Sequence, residues 1–144
     1  MGEPPKGTLE DGVFRYPIVV PAEVIDMLGH ANNTAYVKWM QDAAVLHSAH
    51  VGLPWEAYVK IGAAFVIRRH EVDYLRAVRA GDIVEIATWV ASMEQSSSAR
   101  KTEMKNAAGE PILRAETTWI FVSLVTGKPT RIPDEVRERF ARKA

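Results

Sequence analysis

The sequence predicts an α+β fold in which an antiparallel sheet packs around one long helix. Three observations carry the prediction. A strand-like stretch opens the ordered part of the chain, and one long segment with apolar residues at three- and four-residue steps follows it. The rest is a run of segments rich in β-branched and aromatic residues, separated by turns. One strand, one long helix and then consecutive antiparallel strands indicate an α+β architecture, in which the strands form a meander curling around the helix.

The N-terminal residues 1–12 are polar and rich in Pro and Gly, and we expect them to form a flexible tail. The remaining residues 13–144 are expected to form a single domain, because neither repeats nor low-complexity linkers divide them. The first strand is predicted at Phe14–Val20, and Pro17 within it favours an edge or a strand end.

Asn32 or Asn33 is predicted to cap the long helix, since an Asn side chain accepts a hydrogen bond from a first-turn N–H. Gly52 suits the position just after the helix, and Pro54 prevents its continuation. The apolar band of this helix is wide, which is typical of a helix that is buried or wrapped.

A short helix is predicted near Pro54–Lys60 and another from Pro133. Turns are predicted at Arg79–Asp82 and at Ala107–Glu110, where Gly109 supplies a positive φ. The strands between them are predicted at Ala63–Leu75, Ile83–Glu94, Ser96–Asn106 and Pro111–Leu124.

Composition excludes several classes of function. Of the 144 residues, 18 are Lys or Arg and 18 are Asp or Glu, so the net charge is zero and the basic footprint of a nucleic-acid-binding protein is missing. Cysteine is absent, which removes disulfides, thiolate metal sites and a cysteine nucleophile. A bilayer span needs about 20 apolar residues, and no run approaches that length. We therefore expect a cytoplasmic protein without nucleic-acid or membrane partners.

The stretch EVIDMLGHANNTAYVKWMQDA, residues 23–43, places one acid, one histidine and two asparagines where a loop meets the helix start. These four residues are Asp26, His30, Asn32 and Asn33. One interpretation is a polar loop with a helix cap. The other is an active site, because the backbone N–H groups at a helix N-terminus have no intrahelical partner and carry positive partial charge.

The spacing of this stretch resembles the signature of the hotdog-fold thioesterases, most closely the 4-hydroxybenzoyl-CoA thioesterase-like acyl-CoA thioester hydrolases. The matching pattern is Asp26-x-x-Gly29-His30-x-Asn32-Asn33-x-x-Tyr36-x-x-Trp39. The resemblance continues through GLP at residues 52–54, EVDYLRAVRAGD at 71–82 and GEPILRAETTWIFVSLVTGKPTRIP at 109–133, and so covers almost everything after Phe14.

The resemblance implies a hotdog fold, a long helix wrapped by an antiparallel sheet, in homodimers or homotetramers whose active sites lie between paired subunits. It implies hydrolysis of an acyl-CoA thioester to the free acid and CoA, without a cofactor. Acyl-carrier protein remains possible as the carrier in place of CoA. The single long helix and four Trp also favour homo-oligomerisation, since apolar surface is left for a partner subunit.

The resemblance assigns catalytic roles to three residues. Asp26 stands at the catalytic aspartate, as a nucleophile that forms a mixed anhydride or as a general base that deprotonates water; the alternative is a turn cap. The backbone N–H of Asn33 is the expected oxyanion donor. His30 takes part directly or orients the loop by a hydrogen bond. Plant acyl-carrier thioesterases have an asparagine where this chain has Leu28, which weakens a full Asp-Asn-His assembly.

Three further residues are candidates for substrate binding: Gly29, Tyr36 and Ser98. Gly29 permits a close approach of backbone or substrate, or simply a tight turn. Tyr36 matches a family position, although aromatic residues at helical spacing are more often core. A second branch of hotdog thioesterases carries its carboxylate on the central helix, and Asp42 is the corresponding candidate.

Other residues support weaker hypotheses. His47 and His50 have a spacing that permits metal binding. Zinc sites need three or four protein ligands, however, so the two histidines are expected in the core or in an interface, and no metal is expected. Residues with side chains suited to line the acyl pocket are Phe65, Met40 and Trp39. Candidates for contacts with CoA phosphates, or simply for the solvated side of a strand, are Arg68, Arg69, Arg100 and Lys101.

Two alternative functions stay open at this point. A hotdog dehydratase or hydratase would have an Asn-Pro element, and Asn32-Asn33-Thr34 has no such proline. A non-catalytic acyl-CoA-binding hotdog module would keep the cleft without turnover, and the presence of Asp26 argues against it.

Overall fold

The computed structural model describes residues 7–141, in which a six-stranded antiparallel sheet packs against one long helix. The first strand, β1 (Thr8–Glu10), pairs with β2 (Val13–Val19) through a tight turn. This strand differs from the flexible tail predicted over residues 1–12, because alternating side chains let Leu9 face Phe14 across the hairpin. Residues 1–6 of that predicted tail lie outside the described residues.

The long helix, α1 (Asn33–His50), begins and ends where its local signals predict. Asn32 is the N-cap, with its side chain accepting a hydrogen bond from the N–H of Ala35. Gly52 follows the helix with a φ of +87°, in the left-handed region that glycine adopts at low cost. Within one chain the sheet covers one face of α1, whereas Val45 on the other face is exposed.

The elements after α1 also occupy the predicted segments. They are α2 (Trp55–Ile61), β3 (Ala63–Tyr74), β4 (Ile83–Met93), β5 (Ser97–Asn106), β6 (Pro111–Ser123) and α3 (Asp134–Phe140). No helix within residues 7–141 is long and apolar enough to cross a membrane.

The strand order corrects the predicted meander of consecutive strands. It is β1-β2-β4-β5-β6-β3, so only β4, β5 and β6 follow one another as in a meander. The strand β3 pairs with β6 at the far edge of the sheet, and β2 pairs with β4. After β3 the chain crosses to β4 beneath the start of α1, where the N–H of Ala31 donates to the carbonyl of Val78. Strand pairing between distant segments leaves no trace in the periodicity of either segment.

The core has two apolar clusters with a polar band between them. The first cluster lies under the N-terminal half of α1 and contains Phe14, Tyr36, Met40, Ile86, Met104 and Leu113. The second lies near α2 and α3 and contains Leu53, Tyr58, Phe121, Ile132, Val136 and Phe140. The buried polar residues between the two clusters are His47, Thr88, Arg100, Thr102 and Thr117. This band crosses the inner face of the sheet below the C-terminal half of α1.

Candidate active site

The loop before α1 folds into a small hairpin that starts and ends beside the helix N-terminus. Residues Ile25 and Ala31 form an antiparallel bridge, and the N–H of Asp26 donates to the carbonyl of His30 at 2.9 Å. The N–H of Asn32 donates to the carbonyl of Val24 at 3.0 Å. The predicted catalytic residues Asp26 and His30 therefore sit in one closed loop, directly ahead of Asn33.

The carboxylate of Asp26 is held by the loop through one of its two oxygens. Oδ1 accepts from the N–H of Leu28 at 2.9 Å and from the N–H of His30 at 3.4 Å. Within residues 7–141, Oδ2 accepts no hydrogen bond. Asp26 is exposed and does not line the cavity described below. Asp26 thus caps a turn, as one interpretation of the sequence expects, while Oδ2 stays available.

Gly29 and His30 shape this loop through their backbones. Gly29 has a φ of +80°, and its N–H donates to the carbonyl of Asp26 at 3.0 Å. Among residues 7–141, no atom lies within 4 Å of the position where a Cβ would be, so the positive φ, rather than crowding, favours glycine here. The imidazole of His30 is half-buried and forms no hydrogen bond with the described residues. The His30 groups that contact Asp26 are the backbone carbonyl and the backbone N–H.

Asn32 and Asn33 have different positions and contacts at the helix start. Oδ1 of Asn32 accepts from the N–H of Ala35 at 3.0 Å and from the Thr34 hydroxyl. Nδ2 of Asn32 donates to the carbonyl of Val24 at 3.0 Å, which ties the cap to the start of the loop. Asn33 is the first residue of α1, and its N–H has no hydrogen-bond partner within the part of the chain that the structure describes.

Tyr36 lies in the core below this loop. Its ring packs edge-on against Trp39 and Tyr74, with centroid distances of 5.2 and 5.5 Å. Burial raises the pKa of the Tyr36 hydroxyl, and the nearby charge of Asp26 adds to the shift. The side chain therefore supports the floor of the loop, and a contact between Tyr36 and substrate stays a prediction.

Ser98 lies at a different place in the fold from the other five predicted site residues. It is buried on the inner face of β5 and lines a cavity of about 340 Å³ between the C-terminal half of α1, α2 and the sheet. The cavity walls are mostly apolar and include Val45, Trp55, Phe65, Met93 and Phe140. Of the three residues expected to line an acyl pocket, Phe65 lines this cavity, whereas Met40 and Trp39 do not.

The cavity also contains Arg100. For Arg100, as for Lys101, the sequence predicts the solvated side of a strand or a contact with phosphate. The solvated position is wrong for Arg100, because only 6% of this residue is exposed. The alternation Ser98, Arg100, Thr102, Met104 puts Arg100 on the same face as the fully buried Met104, a signal that was present in the sequence. Arg100 therefore faces inward, toward α1.

Arg100 interacts with the polar band rather than with an acid. Its Nη1 donates to Nδ1 of His47 at 2.9 Å and to the Thr88 hydroxyl at 3.1 Å, and Phe140 covers the guanidinium with its ring centroid 5.6 Å from Cζ. Burial lowers the pKa of Arg100 to about 10, so it stays charged at neutral pH. Burial, followed by the charge of Arg100, lowers the pKa of His47 to about 3.

The hypotheses of a metal site and of a carboxylate on the helix gain no support. His47 is committed to Arg100, a cation, and no group of three or more metal-ligating side chains occurs in residues 7–141. Asp42 forms an exposed ion pair with Lys38 at 2.9 Å. It lies nine residues after Asn33, or about 14 Å along the helix axis.

Comparison with known families gives one match that covers most of the chain. The profile of the family described as the Thioesterase-like superfamily matches residues 19–140. The acyl-CoA thioester hydrolase YbgC of Escherichia coli is 27% identical over 128 residues, which cover 89% of this chain and 96% of that protein. A chloroplastic palmitoyl-acyl carrier protein thioesterase of Gossypium hirsutum is 29% identical over 105 residues, which cover 68% of this chain and 25% of that longer protein.

Solved structures share the fold at lower sequence identity. A Staphylococcus aureus protein solved in complex with CoA superposes with a TM-score of 0.83 at 14% identity, covering 88% of this chain and 80% of that one. A 1,4-dihydroxy-2-naphthoyl-CoA thioesterase from Synechocystis superposes with a TM-score of 0.81 at 15% identity, covering 89% and 95%. The predicted hotdog fold is confirmed by these likenesses.

Proposed function

The chain belongs to the Thioesterase-like superfamily and is a thioester hydrolase, and we propose that it cleaves acyl-CoA thioesters at the loop that carries Asp26. The observation that carries this proposal is the pairing of a carboxylate that has one unpaired oxygen, Oδ2 of Asp26, with a helix N-terminus in one closed hairpin. The relatives named above are thioester hydrolases, which favours hydrolysis over a dehydratase or a non-catalytic binding module.

In the proposed reaction, the thioester carbonyl carbon is attacked by oxygen and the C–S bond breaks. As a general base, Asp26 takes a proton from water, the resulting hydroxide adds to the carbonyl, and the CoA sulfur leaves and is protonated. As a nucleophile, Asp26 displaces CoA itself, and water then hydrolyses the mixed anhydride. Both routes yield the free acid and CoA, and the geometry of the free chain is compatible with either.

The carbonyl oxygen becomes negative in both routes and needs a donor. The free N–H of Asn33 is such a donor, since it stands at the positive end of α1 and its own helix offers it no acceptor. In this proposal Gly29 sets the turn that aims Asp26, and His30 contributes its backbone N–H. No role for the imidazole of His30 is needed.

We infer that a second copy of the chain completes this site, in a homodimer or homotetramer. Met27 and Leu28, beside Asp26, are fully or largely exposed apolar residues, which a partner surface would cover. The long strand β3 has one free edge, because it pairs only with β6 in the described sheet. A symmetric pair joined at this edge would also shield Val66, which is half-exposed on β3.

The test of the hydrolytic proposal is thiol release from a panel of acyl-CoAs, with the variant Asp26→Asn alongside. Asn keeps the Oδ1 acceptor for Leu28 and His30, so the loop should keep its fold while losing the carboxylate. We expect release to fall by at least about 100-fold, as removal of a general base typically does. Undiminished release by Asp26→Asn would refute the role of Asp26.

The oligomer is tested separately by sedimentation velocity. The unaltered chain should sediment as a dimer or tetramer at micromolar concentration, and Leu28→Glu should shift it toward the monomer. Val19→Glu, at an exposed position on β2, which lies four strands away from β3 in the sheet, should not. A monomeric chain with full hydrolytic activity would contradict the shared site.

A further inference from the structure

The cavity between α1, α2 and the sheet has the size and lining of a small-molecule site. Its volume of about 340 Å³ exceeds the roughly 150 Å³ of a cavity that holds benzene, and it lies at the lower end of typical ligand sites, about 300–1,000 Å³. The walls are apolar on the sides formed by Phe65, Met93 and Phe140. Apolar walls with a few polar groups at one place are the usual pattern of a ligand pocket.

The unusual feature of this cavity is a buried cation without an acid. Arg100 lines the cavity, and within residues 7–141 it forms no ion pair. The one acid in the lining, Glu56, is exposed on α2 and does not reach Arg100. An unpaired buried charge is costly, because protein atoms replace water without supplying an opposite charge. Charged residues are almost never fully buried unless they are paired, so this charge points to a partner that comes from outside the chain.

The guanidinium has one edge that the protein does not use. Nη1 is engaged by His47 and Thr88, whereas Nη2 and Nε have no acceptor among the described residues. Both nitrogens keep some accessible surface. They differ in this from Nε2 of His47, Nε2 of His70 and Nε1 of Trp119, which are fully buried without a hydrogen-bond partner among the described residues. Nε and Nη2 form the side-on fork of arginine, whose spacing matches the two oxygens of a carboxylate.

We propose that this cavity binds an apolar molecule that ends in a carboxylate, with the carboxylate on the Nε–Nη2 edge of Arg100 and the apolar body against Phe65, Met93 and Phe140. Ser98, two residues before Arg100 on the same face of β5, has a hydroxyl without a partner in the described structure and supplies a second donor. The hydrogen bonds from Nη1 to His47 and Thr88 hold the fork in place for the ligand.

This site is separate from the Asp26 loop within one chain. Val45, at the cavity, lies twelve residues after Asn33 on α1, or about 18 Å along the helix axis. The inference does not rest on the proposed hydrolysis, since binding is measured without turnover. Two sources supply the ligand chemistry: a free carboxylic acid, the class of product that thioester hydrolysis releases, or an acyl group with a carboxylate at its far end.

The decisive experiment is calorimetric titration of the full chain with decanoate and with decanol, which share the apolar body and differ in the head group. We expect decanoate to bind at least about tenfold tighter than decanol, the magnitude of a hydrogen bond to a charged group. Arg100→Met should abolish the preference for decanoate. Arg15→Met, the same change at an exposed arginine on β2, should leave it intact. Equal affinities in the unaltered chain, or an unchanged preference in Arg100→Met, would overturn the proposal.

A second variant keeps the test decisive should Arg100→Met fail to fold. Ala49 is exposed on α1 and lines the cavity, so Ala49→Leu narrows the cavity without burying new polar groups. It should weaken decanoate and decanol alike, and unchanged affinity for both would mean that the ligand binds elsewhere. To separate the two sources, octanoyl-CoA is compared with its ω-carboxylated analogue. A kcat/KM preference for the analogue that Arg100→Met removes identifies the acyl source, whereas inhibition by decanoate that Arg100→Met relieves identifies the free acid.

Discussion

Nη1 of Arg100 donates a hydrogen bond of 2.9 Å to Nδ1 of His47, and both side chains are buried below α1. A guanidinium only donates, so Nδ1 of His47 is the acceptor and the proton of the neutral ring is on Nε2. That Nε2–H has no acceptor within residues 7–141. The ring stacks on Phe14 and meets Phe140 edge-on, and neither of these rings carries a negative charge that would stabilise a protonated imidazole. His47 is therefore held neutral by the fold.

This relationship predicts acid sensitivity of the folded state. Burial and Arg100 lower the pKa of His47 from its ordinary value of 6.5 to about 3. Between pH 6.5 and about pH 3, His47 binds a proton in the unfolded chain but not in the folded chain. The free energy of unfolding therefore falls as the pH falls through this range. The contribution of His47 is about 1.4 kcal/mol per pH unit. Urea unfolding between about pH 7 and about pH 4 measures this slope.

One variant isolates His47 from the carboxylates, which also titrate in acid. His47→Gln keeps an acceptor for Arg100 without a titrating group, and its slope should be shallower than that of the unaltered chain. Equal slopes for the two proteins would mean that His47 takes up its proton over the same pH range in the folded and the unfolded chain, contrary to its burial beside Arg100.

The proposed oxyanion donor is a backbone group, and Asn33→Pro removes it with little other change. Proline is tolerated at the first position of a helix, because the N–H it lacks has no partner there. The preceding residue, Asn32, already has a φ of −71° and a ψ of 157°, which proline requires of its neighbour. We expect the rate of thiol release to fall roughly 100- to 1000-fold with a small change in melting temperature.

The control for this experiment is Asn33→Ala, which keeps the N–H and removes only an exposed side chain. Its rate should stay close to that of the unaltered chain. Should Asn33→Pro and Asn33→Ala hydrolyse acyl-CoA equally fast, the oxyanion is stabilised by some other donor.

Asn32 is predicted to matter for stability rather than for chemistry. Its Oδ1 caps α1 and its Nδ2 ties the helix start to Val24. Asn32→Ala should lower the free energy of unfolding by about 1 kcal/mol or slightly more, as the loss of a helix cap typically does. Asn32→Asp keeps the cap but turns a carboxylate oxygen toward the Val24 carbonyl in place of the Nδ2 donor, so it should recover only part of the loss. Chemical denaturation of the three proteins provides the measurement, and an Asn32→Ala variant as stable as the unaltered chain would contradict the cap.

The sequence predicts the structure correctly where the signal is local. Asn32, Gly52 and Pro54 bound α1 through contacts within a few residues, so their chemistry alone locates the helix ends. The pairing of β3 with β6 joins segments that are distant in sequence, and alternation in either strand is the same whichever neighbour it has. That is why the strand lengths were predicted and the strand order was not.

The candidate site divides along the same line. The residues from Asp26 to Asn33 are brought together by one short hairpin, so a sequence motif captures them. Ser98 and Arg100 reach their cavity because α1, α2 and β3, which are distant from β5 in sequence, close over the inner face of β5. From the sequence alone, a charged side chain in a strand with many polar residues is predicted to face solvent. The periodicity of β5 indicates the buried position of Arg100, because Arg100 lies on the same face of the strand as the apolar residue Met104.

Gly29 supplies the last prediction, since it separates the cost of a strained backbone from the cost of a misdirected carboxylate. Gly29→Ala must either keep the φ of +80° at about 1–2 kcal/mol of strain or let the turn rearrange. Rearrangement would release the contacts of Asp26 with Leu28 and His30, so thiol release should fall together with stability. Gly127, with a φ of +73° and equally open surroundings, is the matched control. Gly127→Ala should lose comparable stability in thermal melts while keeping its rate of thiol release. If the two variants lose activity to the same extent, the Gly29 turn does not direct Asp26.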